Sequence, residues 1–340
     1  MANYIRRLPV YLLLDCSESM AGPAIEAVSR GVNTLVTELR GNPLALETAY
    51  LSVITFSREA KQVVPLTELL SFQPPQLSVR TGTALGGALR VLMQCFKNDV
   101  IKTTATTKGD YRPLVFLLTD GQPTDDWEGA ADAVKSARHP GIANIYAIGC
   151  GPDVDVEVLR RITDIVLLMP DLSPEAFRKF FVWLSASVQT ASTRLEGGGD
   201  VSLNLPALPD DLREAAPATV YRRDSMPRQV FLHARCSQTK QPYLMRFARR
   251  SSQDHYDAIA SHRLETLEEG ESALLPPINS SLLNGCPRCP YCENPVAVMC
   301  PCGALFCASP RHQGPMTCPQ CNSQLSGAGS GSFDVKRSQG

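Results

Sequence analysis

Pro9-Val10-Tyr11-Leu12-Leu13-Leu14 runs directly into Asp15-Cys16-Ser17-Glu18-Ser19, and this junction decides the reading of the first half of the chain. A short, continuous apolar run that ends abruptly in polar residues predicts a strand buried on both faces, as in the interior of a parallel sheet. Beyond Met20-Ala21-Gly22-Pro23, apolar residues return at Ile25, Val28, Val32, Leu35, Val36 and Leu39. They form one stripe of a 3.6-residue period, so a helix follows with Pro23 in its first turn. One carboxylate and two hydroxyls thus project from the carboxyl end of a central strand, where open α/β sheets bind ligands. Hard oxygen ligands without a lysine or a glycine-rich cradle suit Mg²⁺ or Ca²⁺ better than a nucleotide phosphate. The plainer alternative is that Asp15 and Ser17 cap the following helix.

The chain has 340 residues, 44% of them hydrophobic and 20% charged, with a formal net charge of -1. That length suits about two globular domains, and the charge removes a general basic field as a reason to bind nucleic acid. No stretch approaches the roughly 18 apolar residues of a membrane helix. No apolar segment of signal-peptide length follows the first residues, so a cytoplasmic location is expected. Of twelve cysteines, Cys16, Cys95, Cys150 and Cys236 are scattered, and the rest cluster between Cys286 and Cys321. Such a cluster predicts metal binding rather than a disulfide framework.

Apolar runs alternate with helical patterns up to about residue 190, which predicts a mostly parallel sheet covered by helices. Expected strands are Tyr50–Phe56, an antiparallel edge strand at Ala60–Pro65, Leu114–Leu118, Ile142–Ile148 and Ile165–Met169. Helices are expected around Leu85–Met93, Trp127–Ala137, Val156–Ile162 and onward from Ser173. Two connections carry chemistry. Thr81-Gly82-Thr83-Ala84-Leu85-Gly86-Gly87 places a threonine hydroxyl at a loop tip, and Thr119-Asp120-Gly121-Gln122-Pro123-Thr124-Asp125-Asp126 places Asp120 at a strand's carboxyl end. If the two strands are neighbours where strand order reverses, Asp15 and Asp120 face each other. Each stretch alone also fits a turn or a cap.

Taken in order, Asp-x-Ser-x-Ser, Gly-Thr-Ala-Leu-Gly and Thr-Asp-Gly-x-Pro-Thr-Asp resemble the von Willebrand factor type A domain, with residues 1–192 as its extent. The resemblance implies a doubly wound, Rossmann-like sheet and a metal-ion-dependent adhesion site at Asp15, Ser17, Ser19, Thr83 and Asp120. In that family the hydroxyls ligate Mg²⁺ (or Mn²⁺ or Ca²⁺) directly and the aspartates often act through water. One position stays available for a partner's carboxylate. Glu18 stands where many relatives have glycine, and this extra carboxylate either raises cation affinity or repels an acidic partner.

Residues 193–225 are expected to form a linker, with Gly197–Gly199, Pro206, Pro209 and Pro217, and a short strand at Val201–Leu205. A β-rich region at 226–284 follows, pairing Gln229–Arg235 with Tyr243–Phe247 across a turn at Cys236–Pro242. This stretch is locally basic through Arg222, Arg223, Arg228, Arg235, Lys240, Arg246, Arg249 and Arg250, against Asp224. It suits a solvated face or an acidic partner. His233, His255 and His262 lack ligand-like spacing and read as structural.

Residues 285–325 predict a zinc module, and the Gly/Ser-rich 326–340 a disordered tail. The knuckles Cys289-Pro290-Tyr291-Cys292 and Cys318-Pro319-Gln320-Cys321 are expected to converge on one Zn²⁺ as a ribbon. Cys286, Cys300, Cys302, Cys307 and His312 remain for a second ion or for support. The alternative is a cross-brace that pairs Cys289 and Cys292 with Cys307 and His312, and Cys300 and Cys302 with Cys318 and Cys321.

A type A domain followed by Cys-Pro-x-Cys, Cys-x-Cys-Gly and Cys-Pro-x-Cys resembles the bacterial tellurium-resistance Y (TerY) family. That resemblance implies partners in stress-linked phosphorylation, a serine/threonine kinase and a PP2C-type phosphatase. The expected function is a non-catalytic, metal-dependent adaptor. Competing readings are a Mg²⁺-dependent phosphohydrolase using Asp15 or Asp120, and a RING-like ubiquitin-ligase-type module. Nucleic-acid binding is disfavoured, because Cys286–Cys321 contains Arg288 and Arg311 but no lysine.

Overall fold

A computed structural model describes residues 6–104, 108–120, 122–136, 143–152, 154–195, 206–215, 229–249, 255–265, 277–309, 314–325 and 332–337. They form two units. The first comprises Met1–Cys16, Pro23–Leu77 and Thr83–Val220; the second comprises Ser17–Gly22, Ser78–Gly82 and Tyr221–Gly340.

The first unit alternates strands and helices: β1 (Leu8–Asp15), α1 (Pro23–Arg40), α2 (Pro43–Thr48), β2 (Ala49–Phe56), β3 (Ala60–Glu68), α3 (Leu85–Asp99), β4 (Leu114–Thr119), α4 (Glu128–Ser136), β5 (Asn144–Cys150), α5 (Val156–Ile162), β6 (Val166–Met169), α6 (Pro174–Leu195) and β7 (Arg213–Glu214). The sheet order is β3-β2-β1-β4-β5-β6-β7. β1 is buried along its whole length, as its unbroken apolar run requires. It pairs in parallel with both β2 and β4, with Leu14 opposite Leu118. Strand order therefore reverses between β1 and β4, and their carboxyl ends lie side by side.

Alternate residues of these strands face opposite layers. Tyr11, Leu13, Val115 and Leu117 pack with Leu85, Leu89 and Leu92 of α3, Ala131 of α4 and Leu159 of α5. On the other face Phe116 stacks on Tyr146 at 5.2 Å and meets Trp183 of α6 edge-on at 6.3 Å. The whole apolar stripe of α1 is buried. β3 is the antiparallel edge strand expected from the sequence. It runs through Pro65, whose missing N–H is tolerated at an edge.

Within the presumed linker, Arg213–Glu214 joins the sheet antiparallel to β6, with Glu214 opposite Leu167. The expected strand at Val201–Leu205 and the glycines at 197–199 lie outside the described residues.

The second unit contains β8 (Gln229–Arg235), β9 (Pro242–Arg249), β10 (Tyr256–Arg263), β11 (Ile278–Asn279), β12 (Leu283–Asn284), β13 (Val296–Met299), β14 (Leu305–Ala308), β15 (Met316–Thr317), β16 (Gln324–Leu325) and β17 (Asp334–Val335). The β8–β9 hairpin forms as expected, with Ala234 opposite Tyr243.

Two expected segments take a different course among the described residues. The boundary expected at 284/285 falls inside one six-stranded sheet, β12-β10-β9-β8-β14-β13. The reason is burial: every residue of β14 is buried, and so small a segment finds that cover by adding to a neighbouring sheet. The tail is not uniformly disordered either, because Val335 pairs opposite Ile278 and is buried, with Phe333 packed against the same core. Two apolar residues among Gly and Ser are enough to dock it.

α1 approaches α6 where it carries Gly31, and a Cβ at that position would overlap the ring of Phe181. Gly31→Ala should therefore destabilise the first unit by about 1–2 kcal/mol in urea denaturation. The overpacking cost of about 1–3 kcal/mol exceeds the gain of up to about 1 kcal/mol in helix propensity.

Candidate metal centres

Asp15 closes β1 and is buried; its Oδ2 accepts a hydrogen bond from Thr119 Oγ1 at 2.6 Å. Thr119 ends β4 and Asp120 follows it directly. The two aspartates therefore stand at the ends of adjacent strands. Their shared neighbourhood shows in Cys150, whose thiol is pushed up by burial first and then by the charges of Asp120 and Asp15. Burial, with Asp15 second, likewise holds Cys16 as a neutral thiol.

The second motif is tied to the third. Thr83 N–H donates to Thr124 Oγ1 at 3.0 Å, and Thr124 N–H donates to the Thr83 carbonyl at 3.0 Å. Thr83 Oγ1 itself is buried and makes no hydrogen bond among the described residues. A buried hydroxyl in that condition costs roughly 1–3 kcal/mol, a cost that a cation bound at this position would relieve.

Not every aspartate here is available. Asp125 Oδ1 and Oδ2 accept from Gly86 N–H at 2.9 Å and Gly87 N–H at 2.7 Å, and Arg90 pairs with it at 3.2 Å. Asp125 thus caps α3 from a distant loop. Gly86 must be glycine, because a Cβ would overlap the Asp126 carbonyl.

In the second unit, Ser17 precedes a 3₁₀ turn at Glu18–Met20 and makes no side-chain capping bond. Its hydroxyl lies 2.9 Å from that of Ser19. α1 begins only at Pro23, so the capping alternative for this motif does not hold. Glu18 is fully buried and its carboxylate meets His233 Nε2. Burial brings the His233 imidazole down to about 4, and a neutral ring that carries its proton on Nε2 can donate to the Glu18 carboxylate. This pairing is not legible in the sequence, because the partners are far apart in the chain.

The cysteines form two groups whose sulfurs all lie within 4.8 Å of one another: Cys236, Cys289, Cys292 and Cys307, and Cys300, Cys302, Cys318 and Cys321. Sulfur pairs lie at 3.4 Å (Cys292–Cys307), 3.6 Å (Cys300–Cys321) and 3.8 Å (Cys302–Cys318). A tetrahedral Zn²⁺ with Zn–S near 2.3 Å needs sulfurs about 3.8 Å apart. Four thiols at that spacing fit zinc.

Cys289 and Cys292, expected to share one ion with Cys318 and Cys321, group apart from them. Cys300, Cys302, Cys318 and Cys321, paired in the cross-brace alternative, lie together. In the other group Cys236 joins Cys289, Cys292 and Cys307, while His312 lies outside the described residues. Cys286 belongs to neither group and donates to the Pro287 carbonyl at 3.5 Å.

Cys236 was missed because no second cysteine follows it closely, yet its turn is built like the knuckles. The Cys236, Cys289 and Cys318 carbonyls accept from Lys240, Glu293 and Asn322 N–H at 2.9–3.0 Å. Among the described residues, these three donors, Lys240, Glu293 and Asn322, are the non-glycine positions with positive φ, each at 60°. Burial opposes ionisation of Cys236, but hydrogen bonds from Thr239 and Gln238 prevail and bring it down to about 7. Hydrogen bonding with Ser323 brings Cys321 down to about 6. Each group thus contains one thiol poised to ionise, the state zinc requires.

Residues 10–173 match the family model of the von Willebrand factor type A domain. The first unit is therefore a type A domain, and such domains are protein-interaction modules. Residues 227–340 match the TerY-C metal binding domain. The chain thus joins a type A domain to a TerY-C metal binding domain, a combination that suggests a metal-dependent interaction module. A search of curated proteins finds no match.

Among solved structures, proximal thread matrix protein 1 from the mussel byssus is 18% identical, with 54% of this chain and 48% of that chain covered and a TM-score of 0.40. The ArnB paralog VWA2 from Sulfolobus acidocaldarius is 16% identical, with coverage of 54% and 45% and a TM-score of 0.41. Pilus adhesin SpaC from Lactobacillus rhamnosus GG is 17% identical, with coverage of 55% and 30% and a TM-score of 0.41. The match spans less than half of each of those chains. No helix among the described residues is long and apolar enough to cross a membrane.

Asp125→Ala should lower stability by about 1–2 kcal/mol through loss of the α3 cap and leave divalent-cation uptake unchanged. Thermal unfolding and cation titration on the same sample check both halves.

Proposed function

We propose that this protein is a non-catalytic adaptor whose adhesion site, at Asp15, Ser17, Ser19, Thr83 and Asp120, holds Mg²⁺ and through it an acidic side chain of a protein partner. The observation that carries the reading is the buried Thr83 hydroxyl, which makes no hydrogen bond among the described residues. It stands in the position the family uses as a direct ligand. A six-coordinate ion that receives three hydroxyls keeps positions for water or an incoming carboxylate. Thr119 stabilises Asp15 as an acceptor, which suits a supporting role through water.

The partner in this reading is a serine/threonine kinase or PP2C-type phosphatase of a cytoplasmic, tellurite-type stress response, which is what the resemblance to the TerY family implies. A phosphohydrolase using Asp15 or Asp120 is less well supported, because neither aspartate has a histidine or lysine beside it in the chain to serve as general acid.

The two cysteine groups would hold one Zn²⁺ each. They interleave along the chain, which keeps a cross-braced module in view. The first ligand, however, comes from the β8–β9 hairpin, so the metal staples a sheet rather than a self-contained RING-like module.

Calorimetry should show Mg²⁺ or Mn²⁺ binding by the wild type, weakened about ten- to a hundredfold in Asp15→Ala and in Thr83→Ala, comparable with losses on disturbing other metal sites. Partner capture should fail with the Ser17→Ala, Ser19→Ala double variant. Full-affinity capture by that folded variant would remove the crevice as the binding site.

Metal analysis should find two Zn²⁺ per chain. Cys236→Ser should lose one and Cys302→Ser the other. Loss of a single ion common to Cys289→Ser and Cys318→Ser would restore the ribbon.

A further inference from the structure

Glu18 lies between the two serines of the proposed cation site, and the second unit holds it fully buried against His233. A buried carboxylate is tolerated only where it is partnered, and His233 is a partner that ties Glu18, and with it the turn, to β8. Met20 N–H and Ala21 N–H close the turn onto the Ser17 and Glu18 carbonyls, each at 3.0 Å. Ala21 packs with Leu244 and Leu264, beside Val79 and Phe231. Gly22, at φ +83°, lies so close to His262 that a Cβ would overlap the ring. His233, Leu244 and His262 stand opposite one another across β8, β9 and β10. The 17–22 segment therefore rests on one row of that sheet.

The strand that carries His233 also leads into a metal group. Cys236 follows three residues later. Arg235 at the end of β8 pairs with Phe306 of β14, beside Cys307. Ser237 N–H donates to Cys307 Sγ at 3.2 Å. A metal shared by Cys236 and Cys307 would thus pin the end of β8 on which His233 stands.

We propose that His233 is a positioning residue that couples the Cys236 metal group to the Ser17–Ser19 turn. With that metal in place, β8 presents His233 to Glu18 and holds the two serines ready for a divalent cation. Without it, Glu18 is released and the turn loses both order and cation affinity. The inference rests on the adhesion-site reading above. By linkage, a cation at the turn strengthens zinc retention by the same factor.

The test uses full-length, zinc-loaded protein and its His233→Ala, His233→Gln and Cys236→Ser variants. Three quantities are measured: zinc content, amide hydrogen exchange at Met20 and Ala21, and Mg²⁺ affinity. His233→Ala should retain both zinc ions, while exchange speeds about tenfold and Mg²⁺ affinity falls about tenfold. His233→Gln, whose amide can donate to the same carboxylate, should stay near wild type. Cys236→Ser should lose one zinc and reproduce both changes, and the Cys236→Ser, His233→Ala pair should add little more.

Unchanged exchange and unchanged Mg²⁺ affinity in His233→Ala would overturn the positioning role while leaving the adhesion site standing. A Cys236→Ser protein with an undisturbed turn would overturn the coupling. A wild type that takes up no Mg²⁺ would instead overturn the adhesion-site reading, and with it the affinity change proposed here.

Discussion

Two parallel strands side by side at a reversal of strand order govern the chemistry of the first unit. β1 and β4 are neighbours in register, Leu14 opposite Leu118, although β2, β3 and α3 separate them in the chain. The helices that follow them leave toward different faces, so the polar ends of both strands open into one crevice. Asp15 and Asp120 come together for this reason alone. The Thr119–Asp15 bond fixes one carboxylate from the neighbouring strand. The mutual bonds between Thr83 and Thr124 bring the third motif to the same end. A different strand order would scatter the same residues.

Much of this was legible because it is periodic. The unbroken run of β1 and the stripe of α1 each specify one element, and their burial follows the pattern residue by residue. What escaped the sequence is what tertiary pairing alone creates. Cys236 has no neighbouring cysteine, and its role exists only because a hairpin turn copies the backbone of the two knuckles. The pairing of β14 with β8 joins residues on either side of the expected boundary through one register position. The contact between Glu18 and His233 spans most of the chain, and neither residue stands in a motif that points to the other. Val335 docks a tail whose composition alone predicts disorder.

The interleaving of the cysteine groups bears on how the second unit folds. Cys236, Cys289, Cys292 and Cys307 enclose, in chain order, part of the second group, Cys300 and Cys302, while Cys318 and Cys321 follow. Neither group closes a separate local loop, so the two sites are expected to form together. Structural zinc supplies about 10–16 kcal/mol of apparent binding energy in small modules, which exceeds the whole stability of many domains. Soft thiolates suit zinc whereas hard hydroxyls and carboxylates suit magnesium, so the two donor sets select different metals by chemistry.

The basic stretch of the second unit takes on a different meaning beside these groups. Four thiolates around a Zn²⁺ would leave a formal charge of about -2 at each group, and arginines nearby would offer an internal counter-charge. Their contacts fall on the knuckles. Arg263 Nη2 donates to the Pro290 carbonyl, inside the Cys289–Cys292 turn, at 3.0 Å, and its guanidinium lies 4.9 Å from the Tyr291 ring centre. Arg235 Nη1 donates to the Lys240 carbonyl, in the Cys236 turn, at 3.3 Å. Arg246 is used within the sheet, bonded to Gln229 at 3.0 Å and placed over Phe231. Arg222, Arg223, Arg228 and Arg250 lie outside the described residues. For Arg235, Arg246 and Arg263, the local positive charge is explained by bracing of the metal-binding turns and the sheet that carries them, without recourse to an acidic partner.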